Sequence, residues 1–155
     1  MAVIEAGRPA PEFSLARHGA PPFTRADLLG GRTLLVFYPF AFSEVCTEQL
    51  SLYNELLGEF GARGTTVYGV SCDATYSQQA FKRSLGVDFE QLSDFEPKGA
   101  ACHAFGVLHP AGFPQRALVL VGPDATIEWS HEAPSPGELP GANLIFDALG
   151  AMTAS

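Results

Sequence analysis

Cysteine is scarce in this 155-residue chain: only Cys46, Cys72 and Cys102 occur, an odd number at wide spacings. That excludes a disulfide framework of the secreted type and a zinc site built on close cysteine pairs, so reduced thiols are expected. None of the three has a second cysteine three residues away, which removes the dithiol of Cys-x-x-Cys chemistry. Basic residues are few as well, with Lys+Arg 9 against Asp+Glu 17, a formal charge of -8 and no basic block. The electrostatic footprint for nucleic acid or anionic lipid is therefore missing, and neither partner is expected. No apolar run approaches the roughly eighteen residues that cross a membrane. The opening "MAVIEAGRPAPEFSL" also lacks the basic flank and long apolar stretch of a secretory signal, so the chain reads as cytoplasmic.

What is present is apolar: 46% of side chains are hydrophobic and 17% charged, which suits one compact domain over residues 1–155. The first 31 residues, with Pro9, Pro11, Pro21, Pro22 and several glycines, read as loops and a hairpin around "EFSL". "RTLLVFYP" (32–39) is a continuous run of β-formers, the pattern of a central strand buried on both faces, and Pro39 ends its ladder for want of an N–H. From Ser43 the period changes. After Val45, the residues Leu50, Tyr53, Leu56, Leu57 and Phe60 recur at three- and four-residue steps, predicting a helix over 44–60 with Ser43 as its N-cap. "TTVYGVSC" (65–72) reads as a second buried strand and "TYSQQAFKRSLG" (75–86) as a helix. A short piece at 89–92, a small helix "PKGAACHAFG", the strands "RALVLV" and "TIEWSH" joined by a "GPDA" turn, and a closing helix from about Gly141 complete the order. That order suits a thioredoxin-like α/β fold, a central mixed sheet flanked by helices.

Cys46 lies three residues after the expected cap, where unsatisfied backbone N–H groups carry about half a unit of positive charge in sum. An ordinary thiol with a pKa of about 8.5 is a few per cent ionised near neutrality, so complete ionisation raises the thiolate population by tens-fold at most. Intrinsic nucleophilicity falls with pKa, so a fast reaction needs donors aimed at the charge developing on the electrophile. Ser43 is one helical turn before Cys46 and shares its face, and Pro39 shapes the preceding loop. Arg116, opening the strand "ALVLV" after "GFPQ", carries a planar five-donor fork that a loop of an open α/β sheet could bring to the helix start. On its own it reads more readily as a surface ion-pair residue.

The stretch "PFAFSEVC", Pro39-x-x-x-Ser43-x-x-Cys46, with Arg116 downstream, resembles the active-site motif of the peroxiredoxin family. The segments "GRPAPEFSL", "LLVFYPFAFSEVC", "GVSCDATYSQQAF", "FEQLSDFEPKGAACHAFGV" and "RALVLVGPDATI" follow one another as in that family, most like its bacterial one-cysteine AhpE-type branch. Gln49 departs from that branch, where glutamate is frequent, as does "VGPDAT". The resemblance implies a thiol-dependent peroxidase acting on hydrogen peroxide or organic hydroperoxides. In it Cys46 would be the peroxidatic nucleophile, Ser43 would hydrogen-bond sulfur and peroxide, Pro39 would shield the site, and Arg116 would stabilise thiolate and transition state. The product would be a Cys46 sulfenic acid, reduced by an external thiol of the thioredoxin, glutaredoxin or mycothiol type, with no metal or organic cofactor. A homodimer is likewise implied.

Phe40, Phe42 and Gln49 are candidates for contact with substrate, and Cys72 and Cys102 for a resolving cysteine, with packing the expected role of Cys72. His18, His103, His109 and His131 lack ligand spacing, and no metal site is expected. Two other readings stand beside the peroxidase. A thioredoxin-like disulfide oxidoreductase would need a cysteine where Gln49 stands, and a non-enzymatic redox-sensing module would use a Cys46 sulfenic acid to alter a partner interface.

Overall fold

The computed structural model describes residues 2–135, 138 and 140–153. Among them are seven strands: β1 Ser14–Arg17, β2 Ala20–Thr24, β3 Arg32–Phe37, β4 Thr65–Ser71, β5 Glu90–Ser93, β6 Ala117–Val121 and β7 Ile127–Glu132. They form one mixed sheet in the order β2-β1-β5-β4-β3-β6-β7. The helices are α1 Glu44–Glu55, α2 Leu57–Ala62, α3 Thr75–Leu85, α4 Ala100–Ala104 and α5 Ala142–Thr153. This is the thioredoxin-like arrangement expected from the element order, with the β1–β2 hairpin added at one edge.

The unbroken apolar runs take the centre of the sheet for a physical reason. β3 pairs in parallel with β4 and antiparallel with β6, so both its edges are hydrogen-bonded and both its faces covered. Leu35, Phe37, Val70, Leu92, Val119 and Val121 point to one face, where α4 supplies Ala101 and Cys102. Leu34, Val36, Tyr38, Leu118 and Leu120 point to the other, which meets α1 through Cys46, Leu50 and Tyr53, with Phe60, Phe81 and Ile145 from the helices beside it. Each such Leu or Phe gains about 1.5–3 kcal/mol by leaving water. The helix start bearing Cys46 is thus held in the packed cluster on that face.

The tight β6–β7 connection falls at "GPDA", as expected, with Ala125 in the left-handed region at φ 62. The β3 ladder runs one bond beyond the strand, Tyr38 N–H donating to Val70 O at 3.0 Å, and stops at Pro39. Two details differ from the sequence reading. The single helix expected over 44–60 is broken: Leu56 leaves helical geometry at φ -105 and ψ 6, just before Gly58 and Gly61 weaken the helix that follows. Ser43 occupies the N-cap position with extended backbone, but its hydroxyl makes no capping bond; its carbonyl instead accepts from Thr47 N–H and Thr47 Oγ1, both at 2.9 Å.

Candidate active site

The loop from Pro39 to Ser43 carries the chain from the end of β3 into α1, and two features fix its shape. Ala41 N–H donates to Asp73 Oδ2 at 2.8 Å, tying the loop to the residues after β4. Phe42 takes a left-handed backbone at φ 68, costly for an aromatic residue, and its ring rests against Phe81 at 5.1 Å between centroids. Strain of this kind persists only where surrounding contacts over-determine it, and here it turns the chain sharply before Ser43.

Cys46, in the first turn of α1, has no solvent exposure. Arg116, the residue before β6, is only 2% exposed, and its Nη2 donates to Cys46 Sγ at 3.2 Å. Its other terminal nitrogen, Nη1, donates to Gln49 Oε1 at 2.5 Å. Gln49 in turn donates from Nε2 to Tyr53 Oη at 3.4 Å, and the Tyr53 hydroxyl donates to Pro140 O at 2.7 Å. The polarity is continuous, each group donating to the next, so the guanidinium is oriented by a buried series of hydrogen bonds ending on the backbone before α5. Burial pushes the Tyr53 phenol up to about 12, against the opposing hydrogen bond from Gln49 and the charge of Arg116. Tyr38, on the same face behind α1, is held well above the ordinary phenol range chiefly by burial, and its hydroxyl donates to Gln91 Oε1 at 2.7 Å.

A cleft of about 300 Å³ opens over the helix start, lined by Pro39, Phe40, Ser43, Val45, Phe113 and Arg116 among others. Pro39 is buried, whereas Phe40 and Phe42 are 50% and 57% exposed. Phe40 meets Phe113 in a tilted contact at 5.0 Å, and Phe113 stacks on His109 at 4.3 Å, which builds one wall from the loop leading to Arg116. The cleft offers hydroxyl and guanidinium donors against an apolar rim, an arrangement suited to a small polar molecule with an apolar tail.

The structure therefore brings Cys46 and Arg116 into contact and sets Ser43, Pro39 and Phe40 in the cleft that Arg116 also lines. Phe42 packs on α3 outside that lining. Gln49 is fully buried behind the site as the acceptor for Arg116. Cys72 and Cys102 are free thiols in the core of the opposite sheet face, where Cys72 is partly buried and Cys102 fully so. Phe113 and Tyr53 escaped the sequence reading. Phe113 is an aromatic three residues before Arg116 in "GFPQR", a signal with no meaning until the loop is folded against Phe40. No helix among the described residues is long and apolar enough to cross a membrane.

Residues 6–130 match the model of the AhpC/TSA family. Alkyl hydroperoxide reductase E of Mycobacterium tuberculosis is 31% identical over 154 residues, covering 98% of this chain and 100% of the relative. Among solved structures, Enterococcus faecalis AhpC superposes with a TM-score of 0.85 at 26% identity, covering 99% of this chain and 94% of that one. The reduced 2-Cys peroxiredoxin of Plasmodium vivax shares the fold at a TM-score of 0.88, with 20% identity and coverage of 97% and 83%. With a family model matched over residues 6–130 and a relative matched along its whole length, this chain belongs to the AhpC/TSA family and is a peroxiredoxin, a thiol-dependent peroxidase.

Proposed function

We propose that Cys46 is the peroxidatic nucleophile and that it reduces hydrogen peroxide and organic hydroperoxides in a one-cysteine cycle completed by an external thiol. The observation that carries this reading is the 3.2 Å contact between Arg116 Nη2 and Cys46 Sγ, both groups being buried. A guanidinium desolvated beside sulfur interacts with developing negative charge far more strongly than one in water. Terminal peroxide oxygen is attacked by the Cys46 thiolate; an S–O bond forms as the O–O bond breaks, and water or an alcohol leaves after taking a proton. Arg116 and Ser43 face the oxygens on which charge develops, and buried Pro39 keeps bulk water from the sulfur. The "alkyl hydroperoxide" in the name of the mycobacterial relative supports including organic hydroperoxides.

Resolution by an external thiol is supported by the sheet itself. Cys46 packs with the α1 side of the core, whereas Cys72 and Cys102 pack with the α4 side, so the sheet separates the first sulfur from the other two. One molecule of a thioredoxin-, glutaredoxin- or mycothiol-type reductant would form a mixed disulfide with Cys46, and a second thiol would release it. We place the enzyme in the cytoplasm as a homodimer, consistent with a chain of free thiols and with the exposed Phe40 and Phe42 beside the cleft.

Stopped-flow mixing with hydrogen peroxide and with an alkyl hydroperoxide tests the reading, followed by peptide mass spectrometry after one equivalent. Rapid oxidation confined to Cys46, leaving a sulfenic acid that an added thiol reduces, is expected. Absence of a rapid phase in the native enzyme would overturn the role of Cys46, and a Cys46–Cys72 or Cys46–Cys102 link would overturn the one-cysteine cycle.

A further inference from the structure

The two cysteines outside the site are 30 positions apart in sequence, yet their sulfurs and a carboxylate oxygen of Asp94 all lie within 4.8 Å of one another. Cys72 directly follows β4, and Cys102 sits inside α4. Asp94 holds both. Its backbone N–H donates to Ser71 O at 2.8 Å, beside Cys72, while its carboxylate accepts from Ala101 N–H at 3.1 Å and Cys102 N–H at 2.8 Å. The pair is therefore a fixed juxtaposition, imposed by one residue that ties a strand end to a helix.

We propose that Cys72 and Cys102 form a second thiol redox site, independent of Cys46, which closes to an intramolecular disulfide when peroxide oxidises Cys72. Disulfide sulfurs are about 2.05 Å apart, so closure asks the two atoms to approach by at most about 3 Å, within reach of side-chain rotation and a small shift of α4. The two thiols are unequal in access. Cys72 lines a cavity of about 330 Å³ together with Asp73, Phe95, Lys98 and the loop residues Pro39 and Phe40, whereas Cys102 has no exposure. Cys72 is thus the sulfur that peroxide can reach, and Cys102 the one waiting behind it.

The electrostatics run the same way. The Cys72 thiol is drawn below its ordinary range, first by its partner Cys102 and with help from the Lys98 charge, against burial and the carboxylates of Asp94 and Asp73. The same contact, with burial and Asp94, pushes the Cys102 thiol up. The surroundings thus favour the thiolate at the outer sulfur over the inner one, the order an oxidation by peroxide requires.

The chemistry balances with peroxide as the oxidant. Cys72 thiolate attacks a peroxide oxygen; an S–O bond forms, the O–O bond breaks, and the leaving hydroxide or alkoxide takes a proton. Cys102, losing its proton, then attacks the Cys72 sulfenic sulfur; the S–S bond forms and the hydroxyl departs with that proton as water. Two thiols lose one electron each, and one peroxide gains both. Reduction by an external dithiol restores the pair.

The test uses full-length Cys46→Ser protein, which has lost the proposed peroxidatic sulfur, so its outcome does not depend on the role of Cys46. After treatment with excess hydrogen peroxide, non-reducing peptide mass spectrometry should find the Cys72 and Cys102 peptides linked within one chain. Neither thiol should then alkylate in denaturant until dithiothreitol is added. Adding Cys72→Ser, or separately Cys102→Ala, should abolish the link, with circular dichroism confirming that each variant is folded. Full alkylation of both thiols after peroxide, or Cys72 sulfinic acid beside free Cys102, would overturn the proposal. So would native mass spectrometry showing that the reduced pair instead holds a zinc ion that blocks its oxidation.

Discussion

Arg116 and Cys46, 70 positions apart in sequence, meet through a 3.2 Å hydrogen bond from Nη2 to Sγ, buried where salt screens charge far less than at the surface. The same guanidinium spends Nη1 on Gln49, so its two ends serve two different acceptors at a fixed angle. That geometry belongs to a planar fork, and a lysine ammonium cannot reproduce it.

Replacing Arg116 by Met is therefore expected to lower the second-order rate of Cys46 oxidation by about 10²–10³-fold, the usual consequence of losing one donor aimed at a developing oxyanion. Arg116→Lys retains the charge and loses the fork, and should fall between the two. Stopped-flow fluorescence of the single Trp129 or competition with a second peroxidase measures the rate.

Gln49 orients the arginine without facing the cleft. Gln49→Leu should remove the acceptor that orients Arg116 Nη1 and reduce the peroxide rate by about tenfold, equivalent to about 1.4 kcal/mol. Gln49→Glu restores an acceptor at the same place and should recover most of that loss. A structural role alone would show as a fall in thermal stability in both variants.

Tyr53 supplies a pH test. Its phenol is raised from 10.0 to about 12 in the folded chain, so below pH 10 folded and unfolded states are both neutral there and its contribution is complete. Between pH 10 and 12 the unfolded state loses the proton first, and stability falls as pH rises, by about 2–3 kcal/mol in all. Tyr53→Phe has no proton to lose, but lacks the bond to Pro140, worth about 1 kcal/mol. Urea unfolding across pH should show the variant less stable at pH 9 and the two curves crossing above pH 10.

A Cβ at Gly69 in β4 would run into the side-chain amide of Gln91, whose Oε1 is the acceptor of the Tyr38 hydroxyl. Gly69→Ala should displace Gln91, take the acceptor from the buried Tyr38 hydroxyl and cost about 1–3 kcal/mol. In a Tyr38→Phe background part of that cost should vanish, and a double-mutant cycle of denaturation midpoints gives the coupling.

The site was readable in sequence to the extent that its geometry is local. Pro39, Ser43 and Cys46 lie within one strand end and one helical turn, so period and spacing alone set them side by side. Arg116 carried meaning only through the family resemblance, because nothing in "PQRALVLV" states which loop it will face. The break at Leu56 was hidden behind an apolar pattern that continues smoothly through Phe60, since hydrophobic spacing records a buried face and not the hydrogen bonding beneath it.

Taken by itself, the amino-acid sequence determined the order of strands and helices, the buried centre of the sheet, and a cysteine at a helix start with its serine one turn before. Those follow from periodicity, turn residues and the reach of neighbouring side chains. Tertiary structure alone decided that Arg116 bonds to Cys46, that Gln49, Tyr53 and Pro140 stand in series behind it, and that Cys72 and Cys102 share Asp94 on the opposite face. Each of these joins segments tens of residues apart. Their meeting is fixed by which strands pair and which helix covers which face of the sheet, information that no local stretch of chain contains.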